Sequence, residues 1–459
     1  MSLFILWFSI AMQGYLLAVG LASWLELRRH RHLGKFDRSA DMLSSATTPP
    51  VSIIVPAYNE AAGIVDSVRS MSMLSYPRFE IVVVNDGSTD ETLDRMIEAF
   101  RMEAISTPYR GDIATAPVRA IYRSRLPLPI ILVDKENGGR ADAINTGINV
   151  SRYPYVLLTD ADVVLDGYCL LRAMRHVLED RQATVAVGGN VRPLNGANVE
   201  YGKVTKADLG PTLLERTQVL EYVRSFVATR PGWSRFNTML LLSGAFGLFR
   251  RDVLTEVGGL SRGHLGEDLD LTMRIHRHLR DQKRRYRIVY APDAVCWTEV
   301  PNTREVLSRQ RIRWHRGLFA AVRDFAPMLG NPRYGGLGLV AWPLFMLFEF
   351  VAPIIEFIGW FVIPISLLSG RLNWPVALSL LLIAYFIGAA NSLLALLLDE
   401  AFGYFSRPID ALRLIGVAFL ENLGMRQRTV WWRTRALWGG RSSWAWGNMQ
   451  RRGVANLSN

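Results

Sequence analysis

The sequence predicts an α/β domain built on a doubly wound parallel sheet, joined to an α-helical transmembrane region. Three observations predict it. Between residues 51 and 300, short β-branched runs that close on polar loops alternate with helical patterns, which is the signature of βαβ units. Long, nearly uncharged runs stand outside that stretch, at 3–25, 337–368 and 374–398. The net charge of +12 is concentrated beside those runs, in 28–35, 304–316 and 426–452. Basic residues placed there point to anionic headgroups of membrane lipids and away from nucleic acid.

Taken in order, residues 3–25 are too long for the core of a secretory signal, and no basic residue precedes them, so a retained span over 1–27 is expected. The flank ELRRHRHLGK at 26–35 begins a basic linker over 28–50. By the positive-inside rule it places the following domain in the cytoplasm. VSIIVPAYNE (51–60), FEIVVVNDGSTDET (79–92), PIILVDKENGGRADAIN (129–145) and YVLLT (155–159) read as four buried strands, with Asp90 able to cap the helix that starts near Thr92.

Strands of a parallel sheet all end on one edge, where ligands collect. That edge would hold Tyr58, Asn59 and Glu60; Asp86 and Gly87; residues 135–140; and Asp160 with Asp162. Two carboxylates one residue apart in a partly dry site call for a compensating cation. Hard oxygen donors suit Mg²⁺ or Mn²⁺ shared with a phosphate-bearing ligand.

From about residue 291 the character changes. REVLSRQRIRWHRGLFAAV (304–322) reads as a basic interfacial helix with an apolar stripe at Val306, Ile312, Leu318 and Val322. Two spans follow within 337–399, each long enough for about 30 Å of hydrocarbon. Residues 411–423 are short and carry Arg413 and Glu421, and they lead into a Trp-rich basic tail, so 400–459 is expected to lie at the interface and in the cytoplasm. Only Cys169 and Cys296 occur, which excludes a disulfide framework. His276 and His278 stand two apart on a predicted helix and point in different directions, so neither is expected to be a metal ligand.

The segments VSIIVPAYNE, VVVNDGSTD, NGGRADAIN, TDAD, SGAFGLFRRDVLTEVGG, GED and QRIRW occur in the order found in family-2 glycosyltransferases. The set resembles the membrane-integrated processive branch, the hyaluronan, chitin, cellulose and poly-N-acetylglucosamine synthases. The resemblance covers roughly 51–319 and implies a nucleotide-binding GT-A-type fold over 51–300.

On that resemblance, Tyr58, Glu60 and Asp86 line a uracil and ribose pocket. Arg140, where the family often has lysine, meets the diphosphate. Asp160 and Asp162 hold the donor through Mg²⁺ or Mn²⁺, with Asp162 on the ion. Asp268 is the general base toward the acceptor hydroxyl, with Glu267 beside it at the acceptor. Gln310 and Arg313 reach the diphosphate and chain end, and Trp314 stacks on the acceptor sugar. The usual Thr-Glu-Asp is Gly266-Glu267-Asp268 here, which keeps the base and alters the acceptor pocket.

The function implied is inverting transfer from a UDP-sugar to a β-linked polysaccharide by a multi-pass protein of the cell membrane, with the product passed outward. A non-processive transfer of one sugar to a lipid acceptor is the second reading, and a catalytically silent nucleotide-sugar-binding subunit the third. Three spans make a narrow channel unless the interfacial helices of 301–336, an accessory subunit or a second copy of the chain complete it.

Overall fold

Four of the β-branched runs lie side by side as parallel strands and fix the position of the polar loops. The structure is a computed structural model that describes residues 2–34, 39–200, 202–403 and 407–438. Its strands in chain order are β1 (Val51–Ala57), β2 (Phe79–Asp86), β3 (Met102–Ala104), β4 (Val118–Ser124), β5 (Ile130–Lys135), β6 (Tyr155–Leu158), β7 (Val163–Leu165), β8 (Thr184–Pro193), β9 (Ala197–Glu200), β10 (Lys203–Ala207), β11 (Gly247–Arg250) and β12 (Arg287–Thr298). Ten form one sheet in the order β3-β4-β5-β2-β1-β6-β11-β8-β12-β7, and β9 pairs with β10 alone.

The four expected strands are the parallel block β5-β2-β1-β6. β1, β2, β5 and β6 are buried almost throughout, as strands covered on both faces must be. The chain adds β2 and β5 on one side of β1 and then β6 on the other, so the switch point lies at the carboxyl ends of β1 and β6. Thr159 N–H extends that seam by donating to the Ile54 carbonyl at 3.2 Å.

The remaining strands make the sheet mixed. β11 runs antiparallel to β6 and β8, while β8 and β12 pair in parallel. β8 is hard to read in sequence because Gly188 and Gly189 interrupt it. A methyl group at Gly189 would come within 2.4 Å of the Phe246 ring and 2.7 Å of the Ala294 carbonyl, so the glycine is what lets its neighbours approach.

By internal packing the chain forms two units. One holds the sheet, within Arg31–Ala207 and Met239–Glu299; the other comprises Met1–His30, Asp208–Thr238 and the described residues from Val300 onward. The excursion 208–238 lies inside the stretch expected to be wholly catalytic domain, yet it packs with the apolar helices. Val219, Val223 and Val227 join Leu27, Ala395, Leu398 and Leu414 in one buried cluster.

Among the described residues three helical stretches are long and apolar enough to cross a membrane: Leu3–Arg31, Leu337–Leu368 and Trp374–Glu400. Widened π-helical turns occur at Arg224–Thr229, Leu337–Ala341 and Met346–Val351, just before Pro231, Pro343 and Pro353. A proline ring collides with the carbonyl four residues back, and the wider turn relieves it. The helix Pro408–Leu420 has only 13 residues; Asp410 is buried against Arg413 at 3.0 Å, and Glu421 takes a two-pronged pair from Arg224. Most of the Trp-rich basic tail lies outside the described residues.

The basic helix is Arg304–Asp324, but its buried face differs from the expected stripe. Leu307, Arg311, His315, Leu318 and Ala321 are buried, whereas Val306, Ile312 and Val322 are half-exposed. The reason is electrostatic: Arg311 turns inward to a two-pronged pair with Glu221, 2.8 Å on one arm, and lies 4.6 Å over the Trp314 ring.

Candidate active site

The polar loops expected at one sheet edge are stitched together there. Asn59 adopts a left-handed conformation (φ 56°), which asparagine tolerates. Its N–H donates to Ser88 Oγ at 3.0 Å, and its Oδ1 accepts from Thr89 N–H at 2.8 Å. Glu60 N–H donates to Thr92 Oγ1 at 2.9 Å. Asp90 accepts from the N–H groups of Ala61 and Thr92, which fixes the start of the helix Thr92–Phe100. Tyr58 stands exposed beside this turn.

One strand over, Asp86 and Lys135 are register partners at the ends of β2 and β5. Both are buried, with Lys135 Nζ 2.6 Å from Asp86 Oδ1. The N–H groups of Gly138 and Gly139 donate to Asp86 Oδ1 and Oδ2 at 3.0 and 2.7 Å. Gly139 has φ 87° and ψ 167°, a backbone region open essentially to glycine alone. The tight turn launches the helix Arg140–Val150 and aims Arg140 at the edge.

Arg140 is the hub. Its guanidinium lies 2.7 Å from Asp160 Oδ1, pairs closely with Glu267, and stands 3.7 Å from Asp268 Oδ1. It also donates to the Gly244 carbonyl at 3.2 Å. Gly244 N–H in turn donates to Asp268 Oδ2 at 2.9 Å. Asp160 and Asp162 are both half-buried and flank the buried Ala161.

Glu267 and Asp268 open the helix Glu267–Asp281, whose first turn also carries Asp270. The turn before it is pinned from two sides. Asn145 exchanges hydrogen bonds with both backbone groups of Leu260, and Arg274 donates to the carbonyls of Val257 and Gly259. A rigid backbone thus presents these acids.

One guanidinium facing three carboxylates leaves the cluster with excess negative charge. Burial, together with Glu267 and Asp160, pushes the Asp268 carboxyl up to about 6, although Arg140 pulls the other way. For Arg140 burial opposes the charge, but Asp160, Glu267 and Asp268 outweigh it and raise its pKa well above the usual value. The donor set is hard oxygen, partly open and short of positive charge, chemistry that suits a divalent cation.

Of the residues singled out in sequence, the structure brings Arg140, Asp160, Glu267 and Asp268 into one cluster, with Asp86 holding the glycine turn that carries Arg140. Asp162, Tyr58 and Glu60 lie on adjoining loops of the same edge. Gln310, Arg313 and Trp314 belong to the other unit, on the helix Arg304–Asp324, where Trp314 is exposed and Gln310 and Arg313 are half-buried. His276 is a core residue: Nε2 donates to the Met239 carbonyl at 2.9 Å and Nδ1 accepts from Tyr286 Oη, and burial lowers its pKa to about 3. Both cysteines are buried and unbridged. Lys135 falls within the 135–140 stretch expected at this edge, without a role of its own, whereas the contacts of Gly244 with Arg140 and Asp268 were not legible in the sequence.

A family model described as "Glycosyltransferase like family 2" matches residues 49–317. The poly-beta-1,6-N-acetyl-D-glucosamine synthase of Staphylococcus aureus (strain COL) is 28% identical over 289 residues, 62% of this chain and 58% of that protein. The synthase of the same name from Staphylococcus epidermidis is 30% identical over 284 residues, 61% of this chain and 57% of that protein. The matched region thus spans under two thirds of those relatives. Among solved structures, a Pyrobaculum calidifontis mannosyltransferase in complex with GDP-Man and Mn²⁺ aligns at a TM-score of 0.49 and 20% identity, covering 91% of this chain and 99% of that one. S. aureus TarS 1-349 in complex with UDP-GlcNAc aligns at 0.42 and 17%, covering 84% and 91%. With more than half of its residues matched by the family model, and with the mixed α/β sheet of a GT-A-type domain, the chain belongs to glycosyltransferase family 2.

Proposed function

We propose that the chain transfers a sugar, with inversion, from a UDP-sugar to a growing β-linked polysaccharide at the membrane, and that its apolar helices carry the product outward from a cytoplasmic catalytic domain. The observation that carries this reading is the convergence of Arg140, Asp160, Glu267 and Asp268 on one sheet edge beside the Asp86 loop. Likeness to synthases of a β-linked N-acetylglucosamine polymer supports the substrate class.

In this reading Tyr58, Glu60 and Asp86 receive the nucleoside, and Arg140 turns its fork from the carboxylates to the diphosphate. Asp160 and Asp162 would hold the divalent ion, which when bound offsets charge gathering on the departing diphosphate. Asp268 accepts the proton of the acceptor hydroxyl as that oxygen attacks the anomeric carbon. A carboxyl near 6 is mostly ionised at neutral pH yet basic enough to share a proton. One displacement turns an α-linked donor into a β-linked product. Glu267 meets the acceptor, Gln310 and Arg313 the diphosphate and chain end, and Trp314 the acceptor sugar.

The experiment is to incubate the purified full chain in detergent with a panel of UDP-sugars and Mn²⁺, following free UDP and product length. Release of UDP with a ladder of products is expected. A single addition to lipid selects the non-processive reading, and binding without release selects the silent subunit.

A further inference from the structure

Among the described residues Lys135 is the one fully buried lysine of this edge, and its ammonium is enclosed by two carboxylates and a carbonyl. Nζ lies 2.6 Å from Asp86 Oδ1 and 2.8 Å from Asp142 Oδ1, and it donates to the Glu136 carbonyl. The side chain is fully buried and does not itself reach the open edge. Its effect must pass through the groups it holds.

Those groups form a ladder across the site. Asp142 also accepts from Ala116 N–H at 3.1 Å and pairs with Arg262 Nε at 2.9 Å. Gly138 is sandwiched against it: a methyl group there would fall within 2.5 Å of the Asp142 carboxyl carbon. Asp86 Oδ1 is filled by Lys135 and Gly138, while Oδ2 accepts only from Gly139. A carboxylate offers about four lone-pair sites, so one remains, on Oδ2. It is placed to accept from an N–H or O–H of a ligand.

We infer that Lys135 is a positioning residue for the donor's nucleoside: by clamping Oδ1 it turns the last free lone pair of Asp86 outward as a fixed hydrogen-bond acceptor. The inference rests on the UDP-sugar reading. A clamp of this kind acts on nucleotide binding and leaves the transfer step to Arg140, Asp160 and Asp268. Its mark is therefore a raised donor KM at a nearly constant kcat.

Removing the lysine alone leaves two neighbouring buried carboxylates, Asp86 and Asp142, with only Arg262 as a cation, a change that threatens folding. The decisive variant is therefore Lys135→Met with Asp142→Asn, compared with Asp142→Asn alone. UDP binding by the full-length chain in detergent is titrated calorimetrically, melting transitions are recorded, and donor KM and kcat are measured. The double variant is expected to keep a cooperative melt, to bind UDP about tenfold more weakly or worse, and to hold kcat within about threefold. Asp142→Asn alone is expected to keep UDP affinity within about twofold. A folded double variant that binds UDP like wild type overturns the role of Lys135, and so does a single variant that loses as much as the double. Wild-type chain that binds no UDP overturns the nucleotide reading and this inference with it.

Discussion

Gly244 touches Asp268 through its backbone N–H at 2.9 Å, and it has no room for a side chain. A methyl group at position 244 would stand 2.5 Å from Arg140 Nη2 and 2.8 Å from Asp268 Oδ1. The glycine lets backbone, carboxylate and guanidinium meet. Gly244→Ala is expected to displace both side chains and lower kcat by about tenfold or more while the melting transition changes little, because the groups that must yield are side-chain ends at a partly open cluster. Turnover and melting on the same preparation check it.

The pH dependence has a definite sign. Asp268 has its pKa raised to about 6 by burial, so kcat/KM should fall as pH drops through about 6, well above the range of an ordinary carboxylate. Its folded pKa exceeds the unfolded value, so the folded state gains proton affinity, and ionising this group costs stability above that window. Asp268→Asn should thus abolish UDP release in the presence of acceptor while leaving the melting temperature at pH 7.5 unchanged or higher.

Neutralising Arg140 should move that limb. The guanidinium is the main influence holding the Asp268 carboxyl down, with Glu267 and Asp160 pushing it up. In Arg140→Met the acid limb of kcat/KM is expected at higher pH. Arg140→Lys keeps the charge but loses the fork that serves three carboxylates, and about a tenfold loss of kcat/KM is expected from the pH–rate profiles.

Chelation by EDTA should stop turnover, with recovery on adding Mn²⁺. Asp162→Ala should weaken Mn²⁺ binding, read by the ion's electron paramagnetic resonance with no sugar present. Retention of wild-type Mn²⁺ affinity would remove Asp162 from the ion.

In the helical unit, Arg311 is buried and clamps Glu221, which is itself partly exposed. Arg311→Met should cost about 1–2 kcal/mol, less than a wholly buried pair, and lower the detergent melting temperature. It should also loosen the Trp314 ring that the guanidinium covers, visible as a change in tryptophan fluorescence.

The parts of the fold that could be read in advance are those where one local rule dominates. β1, β2, β5 and β6 are continuous apolar runs, and their polar ends name the site edge before any coordinates. β8 and β11 were not read as strands, since glycine breaks the pattern of one and four residues suffice for the other. The excursion 208–238 looked like part of the catalytic domain because its apolar positions find cover only in helices far along the chain. The stripe Val306, Ile312, Leu318 and Val322 differs from the buried face for the opposite reason: pairing with Glu221 draws the charged Arg311 inward. The acids of the cluster were readable as types, but that Arg140 joins them follows from the Gly139 turn.

The threading of the chain also decides where it can be cut. A fragment spanning 51–299 keeps every strand of the sheet yet carries the excursion 208–238, whose Val219, Val223 and Val227 are shielded by Leu27, Ala395, Leu398 and Leu414. Severed from those residues, that face meets water, so the fragment should aggregate on expression unless a surfactant takes their place.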